Sequence, residues 1–188
     1  MVIRNEAHGG RSSKSFIDEG RLDRIAETIA AGDYLFIQFG HNDEKTDEAR
    51  HTTPDGTYPH YLRRYVEAAR SRGAVPVLLS PVECRSFDVD GKLVHTHGDY
   101  PDAVRRLARE ANVPFIELCG KSRALLEALG SEASKRLFCW LEPGEEPNYP
   151  EGLRDNTHFN EYGASEMARL VAEGIREAGL PLAERLLV

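Results

Sequence analysis

Asp155 and His158 stand three residues apart in Asp155-Asn156-Thr157-His158-Phe159, a spacing that a single turn can close into an acid–base hydrogen bond. Histidine can take a hydroxyl proton and return it to a leaving alcohol near neutral pH. A carboxylate beside it fixes the tautomer and stabilises the imidazolium. Two earlier segments offer what the developing negative charge of an acyl transfer needs. In Gly40-His41-Asn42-Asp43, Asn42 follows an apolar run and presents a side-chain amide. In Asn5-Glu6-Ala7-His8-Gly9-Gly10-Arg11-Ser12, Gly10 presents a main-chain N–H that no side chain crowds. Removing one such oxyanion donor typically costs about 3–4 kcal/mol of barrier. Together these residues describe hydrolytic acyl transfer, lacking only the nucleophile.

No serine fills that role convincingly. Ser80 ends an apolar run, where a nucleophile belongs, but Pro81 follows it and has no N–H to give an oxyanion. Its ordinary reading is a strand-terminal hydroxyl bonded to the backbone. Ser12, Ser13 and Ser15 read as residues that cap or begin a helix. His95-Thr96-His97, with His41 or Asp99, is a weak metal pattern, because no third ligand falls at a recognised spacing. Arg85 and Arg154 flank loops where a sugar or uronate carboxylate would lie. Trp140 and Tyr149 precede Asp155 and present rings that either stack on a sugar or simply pack.

The elements that must hold these groups follow from periodicity. Tyr34–Phe39, Val75–Ser80 and Val113–Leu118 are short apolar runs of the kind that form strands buried on both faces, with Pro76 and Pro114 at strand starts where a missing donor is tolerated. Amphipathic helices are predicted over Asp18–Ala31, Tyr58–Arg72 and Tyr100–Ala111, and two more over Ser122–Gly130 and Glu161–Gly179. Gly32 and Gly73 stand where helix C-caps belong. Val2–Arg4 reads as the remnant of a strand. Strands and helices alternate as βαβ crossovers do, so a parallel sheet is expected, with the working groups at the carboxyl ends of its strands. The segment around Pro143, Gly144, Pro147, Pro150 and Gly152 predicts a loop that carries Asp155 and His158.

Composition sets the bounds. With 188 residues, 40% of them hydrophobic and 29% charged, the chain fits one globular domain. A net charge of −7 without a Lys/Arg block argues against nucleic acid. There is no apolar run of membrane-spanning length. Three widely spaced cysteines form neither a disulfide framework nor a zinc pattern. No apolar leader is seen at the N-terminus, so a cytoplasmic location is the default expectation, one that a start upstream of Met1 would change.

On the blocks Asn5–Phe16, Glu19-Gly20-Arg21-Leu22, Gly32-Asp33-Tyr34, Phe39–Asp43 and Asp155–Phe159, the chain resembles the SGNH/GDSL hydrolase superfamily, in the branch similar to rhamnogalacturonan acetylesterases. The blocks come in the family's order and span essentially the whole chain. The resemblance implies a flavodoxin-like three-layer α/β/α sandwich with a parallel sheet, as a single SGNH-hydrolase-like domain over residues 1–188, with no cofactor and no metal. It assigns Asp155 and His158 as acid and base, and Gly10 and Asn42 as oxyanion-hole donors. The substrate it implies is an acetylated carbohydrate of the pectic type, with Arg154 a candidate substrate contact; no nucleic acid and no membrane partner is implied. One departure stands out. The family's first block, Gly-Asp-Ser, occurs nowhere in the sequence, so the first strand of the fold and its serine are expected to be missing. Truncation, a strand supplied by another chain, and a non-catalytic glycan- or partner-binding module each account for that.

Overall fold

The computed structural model describes residues 1–186, so positions 187 and 188 of the expected domain lie outside the described residues. Two compact units are present. One comprises Met1–Pro81, His97–Glu117 and the residues from Glu177 onward; the other comprises Val82–Thr96 and Leu118–Arg176.

The first unit contains α1 (Ser13–Asp18), α2 (Arg21–Thr28), β1 (Tyr34–Gln38), α3 (Thr57–Ser71), β2 (Val75–Leu79), α4 (Tyr100–Glu110) and β3 (Phe115–Ile116). Its strands form a parallel sheet in the order β1-β2-β3, with Tyr34 opposite Val75 and Leu78 opposite Phe115. The α/β class with a parallel sheet is thus as the βαβ rhythm predicts. Leu62, Tyr65 and Val66 of α3 meet Val104 and Leu107 of α4, Phe16 of α1, Ile25 of α2, and Ile37 and Leu78 of the sheet in one core. Burying a side chain such as Leu62 or Val104 contributes about 1.5–3 kcal/mol.

Three expectations need correcting here. Only β2 is buried almost throughout; in β1, Ile37 alone is fully buried and Gln38 is exposed, because β1 pairs only with β2 among the described residues. The helix predicted over Asp18–Ala31 is shorter, α2 at Arg21–Thr28, and a separate helix, α1, ends at Asp18 ahead of it. Ser12 caps α1 through reciprocal bonds with Ser15, and the chain then breaks at Gly20, whose φ of +69° suits glycine. Val2–Arg4 forms no strand and is exposed, since an extended segment without a ladder partner has nothing to pair its backbone with.

The second unit contains α5 (Leu118–Ala133), interrupted at Gly130, then β4 (Phe138–Leu141), β5 (Leu153–Phe159) and α6 (Glu161–Glu177). β4 and β5 pair antiparallel. Leu93, Leu126, Leu137 and Phe138 form its core, with Phe87, Trp140 and Phe159 packed against them. The loop expected to carry Asp155 and His158 ends earlier, at Gly152, and both residues belong to β5. Asn160 then starts α6. Its Oδ1 accepts from Gly163 N at 2.9 Å, and its Nδ2 donates to the carbonyls of Arg136 and Phe138. One side chain thereby caps the helix and ties it to the entry of β4. Among the described residues no helix is long and apolar enough to cross a membrane.

Candidate active site

In the second unit the pairing of β4 with β5 slips where Asp155 and His158 lie. Phe138 pairs with Phe159 and Trp140 with Arg154, so four residues of β5, Asp155 to His158, face the single residue Cys139. The surplus loops out as a wide bulge, a device that re-aims side chains near reactive sites. Asp155 organises it. Its Oδ1 accepts from the main-chain N–H groups of Thr157 at 2.7 Å and His158 at 2.9 Å, and its Oδ2 stands 2.7 Å from His158 Nδ1. The same carboxylate that folds the bulge therefore orients the ring. A carboxylate at Nδ1 places the proton there and leaves Nε2 as the free base. Burial pushes the Asp155 carboxyl up, but the N–H groups of His158 and Thr157 and the His158 ring outweigh it, holding Asp155 below its ordinary range. The His158 side chain is 78% exposed and Asp155 only 23%, so the ring is open to solvent and the carboxylate is set behind it.

In the first unit, Asn42 and Gly10 lie in segments tied together by one buried carboxylate. Asp43 accepts from Ser13 N, Ser13 Oγ, Thr52 Oγ1 and Gly40 N. Burial pushes its carboxyl up, and the bonds from Ser13, Thr52 and Gly40 offset that only in part. The hub joins the start of α1, just after Gly10, to the turn that carries Asn42. Asn42 Oδ1 receives a long 3.5 Å contact from Arg50 Nη1. Gly10 is exposed and has a φ of +78°, a conformation that favours glycine.

The remaining sequence candidates take other roles. Ser80 is buried, and its Oγ donates to Glu117 Oε1 at 2.9 Å, a side-chain acceptor where a backbone one was expected. Arg85 is buried, and its guanidinium is spent on Ser134, Ser131 and Asn156, so it does not reach out to a uronate. Trp140 carries Lys135 Nζ, Arg154 Cζ and Arg85 Cζ at 4.7, 4.9 and 5.0 Å from its ring centroid; it is packed among cations. Arg154 itself is exposed and paired with Glu142 at 3.3 Å.

His95 and His97 belong to different units. His97 Nδ1 lies 2.5 Å from Glu44 Oε1. In the second unit, Glu83, His95 and Cys119 bring their ligand atoms within 4.8 Å of one another. Yet His95 Nδ1 and Glu83 Oε2 are only 2.7 Å apart, whereas two donors on one tetrahedral zinc sit roughly 3.3 Å apart. Glu83 Oε1 meanwhile accepts from Thr96 N and Oγ1. That geometry is an internal hydrogen-bond cluster, which a metal ion would have to break. Asn156, Asn160 and the Asp43 hub escaped the sequence reading. Asn160 carried a readable signal, an Asn just ahead of a helical run; the other two carried none.

Comparison with known proteins bears on this arrangement. The model of a family described as GDSL-like lipase/acylhydrolase matches residues 1–165. The chain is 53% identical over 186 residues to rhamnogalacturonan acetylesterase RhgT of Bacillus subtilis, covering 99% of this chain and 79% of that protein. It is 42% identical over 188 residues to the probable rhamnogalacturonan acetylesterase YesY of the same organism, covering 100% and 82%. A crystal structure of protein YxiM from Bacillus subtilis superposes with a TM-score of 0.79 at 24% identity, over 96% of this chain and 47% of the other. Axe2, an acetylxylan esterase from Geobacillus stearothermophilus, gives 0.60 at 19% identity, over 91% and 69%. Both structures speak to the fold alone.

Proposed function

The chain belongs to the GDSL-like lipase/acylhydrolase family, in the rhamnogalacturonan acetylesterase-like branch of the SGNH hydrolases, and from that premise we propose that it serves as a carbohydrate O-acetylesterase for pectic or related poly- and oligosaccharides. The observation that carries the proposal is the 2.7 Å bond between His158 Nδ1 and Asp155 Oδ2. In this reading a serine hydroxyl attacks the acetyl carbonyl carbon while His158 Nε2 takes its proton. The oxyanion that forms is held by the Gly10 N–H and the Asn42 amide. Collapse breaks the ester bond, and the departing sugar oxygen takes the proton back from His158. Water then attacks the acetyl-serine, again losing its proton to His158, and acetate leaves. Arg154, exposed beside Asp155, is proposed to contact the glycan. Residues 1–188 are taken as one SGNH-hydrolase-like domain, since the family match runs through both units.

Gly-Asp-Ser is absent from the sequence, so the nucleophile is proposed to come from a segment outside these residues, upstream in the same product or on another chain. The same absence favours a second reading, a non-catalytic module that binds an acetylated glycan or a partner. One experiment separates them. The DNA preceding the Met1 codon is read in frame, and the longer protein is assayed for acetate release from O-acetylated pectic oligosaccharides beside the 188-residue chain. An upstream strand ending in Gly-Asp-Ser, with activity that falls about 10²–10⁴-fold in His158→Ala, supports the esterase. No such segment and no acetate release supports the binding module.

A further inference from the structure

The bulge that carries Asp155 and His158 is long enough to wander. Its four residues stand opposite one, and the flanking pairs Trp140–Arg154 and Phe138–Phe159 hold only its ends. We propose that Arg85, acting through Asn156, is the positioning residue that holds this bulge in the shape the acid–base pair needs. The inference rests on the reading of Asp155 and His158 as acid and base.

Arg85 reaches the middle of the bulge twice. Its main-chain N–H donates to the Asn156 carbonyl at 3.0 Å, and its Nη1 donates to Asn156 Oδ1 at 2.7 Å. The guanidinium is anchored from behind: Nε donates to Ser134 Oγ at 3.0 Å, and Nη2 donates to the carbonyl of Ser131. Its Cζ lies 5.0 Å from the Trp140 ring centroid and 5.6 Å from that of Phe87. Trp140 adds a third contact to the same residue, Nε1 to Asn156 Oδ1 at 3.0 Å. Asn156 sits directly between Asp155 and Thr157. The N–H groups that fix the Asp155 carboxylate belong to Thr157 and His158, so immobilising Asn156 sets their direction, and through them the carboxylate and the ring.

Arginine suits the task for a physical reason. Three guanidinium nitrogens meet three acceptors in different directions while the cationic carbon lies within cation–π range of two aromatic rings. A lysine ammonium is a point donor on a flexible stem and cannot do both. Burial at 8% exposure keeps water from competing for these bonds and marks Arg85 as a strut, not a glycan contact.

The test is long-range proton–nitrogen NMR of the imidazoles in the 188-residue chain, with the His158 signal assigned through His158→Gln. The wild-type ring is expected as the tautomer protonated at Nδ1. In Arg85→Ala that signature is lost and the ring reverts to the mixture of free imidazole, while the other backbone amide signals stay in place; added guanidinium ion restores it and sodium chloride of equal strength does not. Asn156→Ala removes the same link without emptying the Arg85 site, and decides the matter if Arg85→Ala fails to fold. Retention of the Nδ1–H signature in the folded variants overturns the proposal. Asp155→Ala serves as the internal reference. If it leaves the ring unchanged, the acid–base reading itself fails and the Arg85 inference with it; if it alters the ring where Arg85→Ala and Asn156→Ala do not, only the Arg85 inference fails.

Discussion

A carboxylate can be asked to build a loop or to hold a base, and Asp155 does both. Its Oδ1 turns the chain by accepting two main-chain N–H groups, and its Oδ2 receives the His158 ring. The pH dependence follows from sign. The folded carboxyl lies below its unfolded value of 3.8, so its contribution to stability is present above that value and is lost as pH falls through the folded one. Thermal melts between neutral pH and pH 3 are therefore expected to lose less in Asp155→Asn than in wild type; an equal loss would remove Asp155 from the acid limb. Asp43 works in the opposite sense. Its carboxyl is raised by burial, so its ionisation costs stability as pH rises from 3.8 through the folded value. Its worth lies in its acceptors, because Asp43→Ala would strand the donors of Ser13, Gly40 and Thr52. Urea unfolding of that variant is expected to show a loss of about 2–4 kcal/mol. Of the residue-level geometry, the hydrogen bond between Asp155 and His158 was legible because their spacing of three carries it. Arg85 and Asn156 were not, since their partnership joins positions 71 apart that no local pattern relates.

At the scale of elements, the β4–β5 ribbon and the start of α6 form one device. Asn160 closes it by capping the helix and bonding the two carbonyls that flank Leu137. Asn160→Ala is expected to cost about 1–2 kcal/mol in a denaturant titration. Gly163 is more demanding. A Cβ at that position would stand 1.9 Å from the Leu137 carbonyl oxygen, so Gly163→Ala must push α6 away from the residue that enters β4. A loss of about 3 kcal/mol or more is expected, and a near-neutral melt would contradict the close approach. Helices α3 and α4 were readable to within a residue because their apolar faces repeat along the chain. The start of α2 after Gly20, with α1 separate before it, was missed, because a single Gly20 inside an amphipathic pattern can be tolerated in a helix or can break it. The bulge was missed for a related reason: a run rich in Pro and Gly marks irregular backbone but not where pairing resumes.

At the scale of the whole molecule, the parallel sheet leaves β1 paired on one side only among the described residues, with Tyr34, Leu35 and Phe36 half-buried. Such an edge presents open donors and acceptors to any extended segment. Gel filtration of the 188-residue chain is expected to show earlier elution as concentration rises, and a longer product with an added strand is expected to suppress it. A concentration-independent monomer would mean the edge is protected in some other way.

Composition, apolar periodicity and the order of a few polar blocks determined by themselves that this is an α/β chain with a parallel sheet of the SGNH kind, because those properties are local and survive translation into one dimension. Tertiary structure alone decided that the Asp155–His158 pair rides on a strand bulge, that Asp43 ties the Gly10 and Asn42 segments together, and that Arg85 faces inward. Each of these depends on groups distant in sequence meeting at hydrogen-bond range, where burial makes every unmade bond costly.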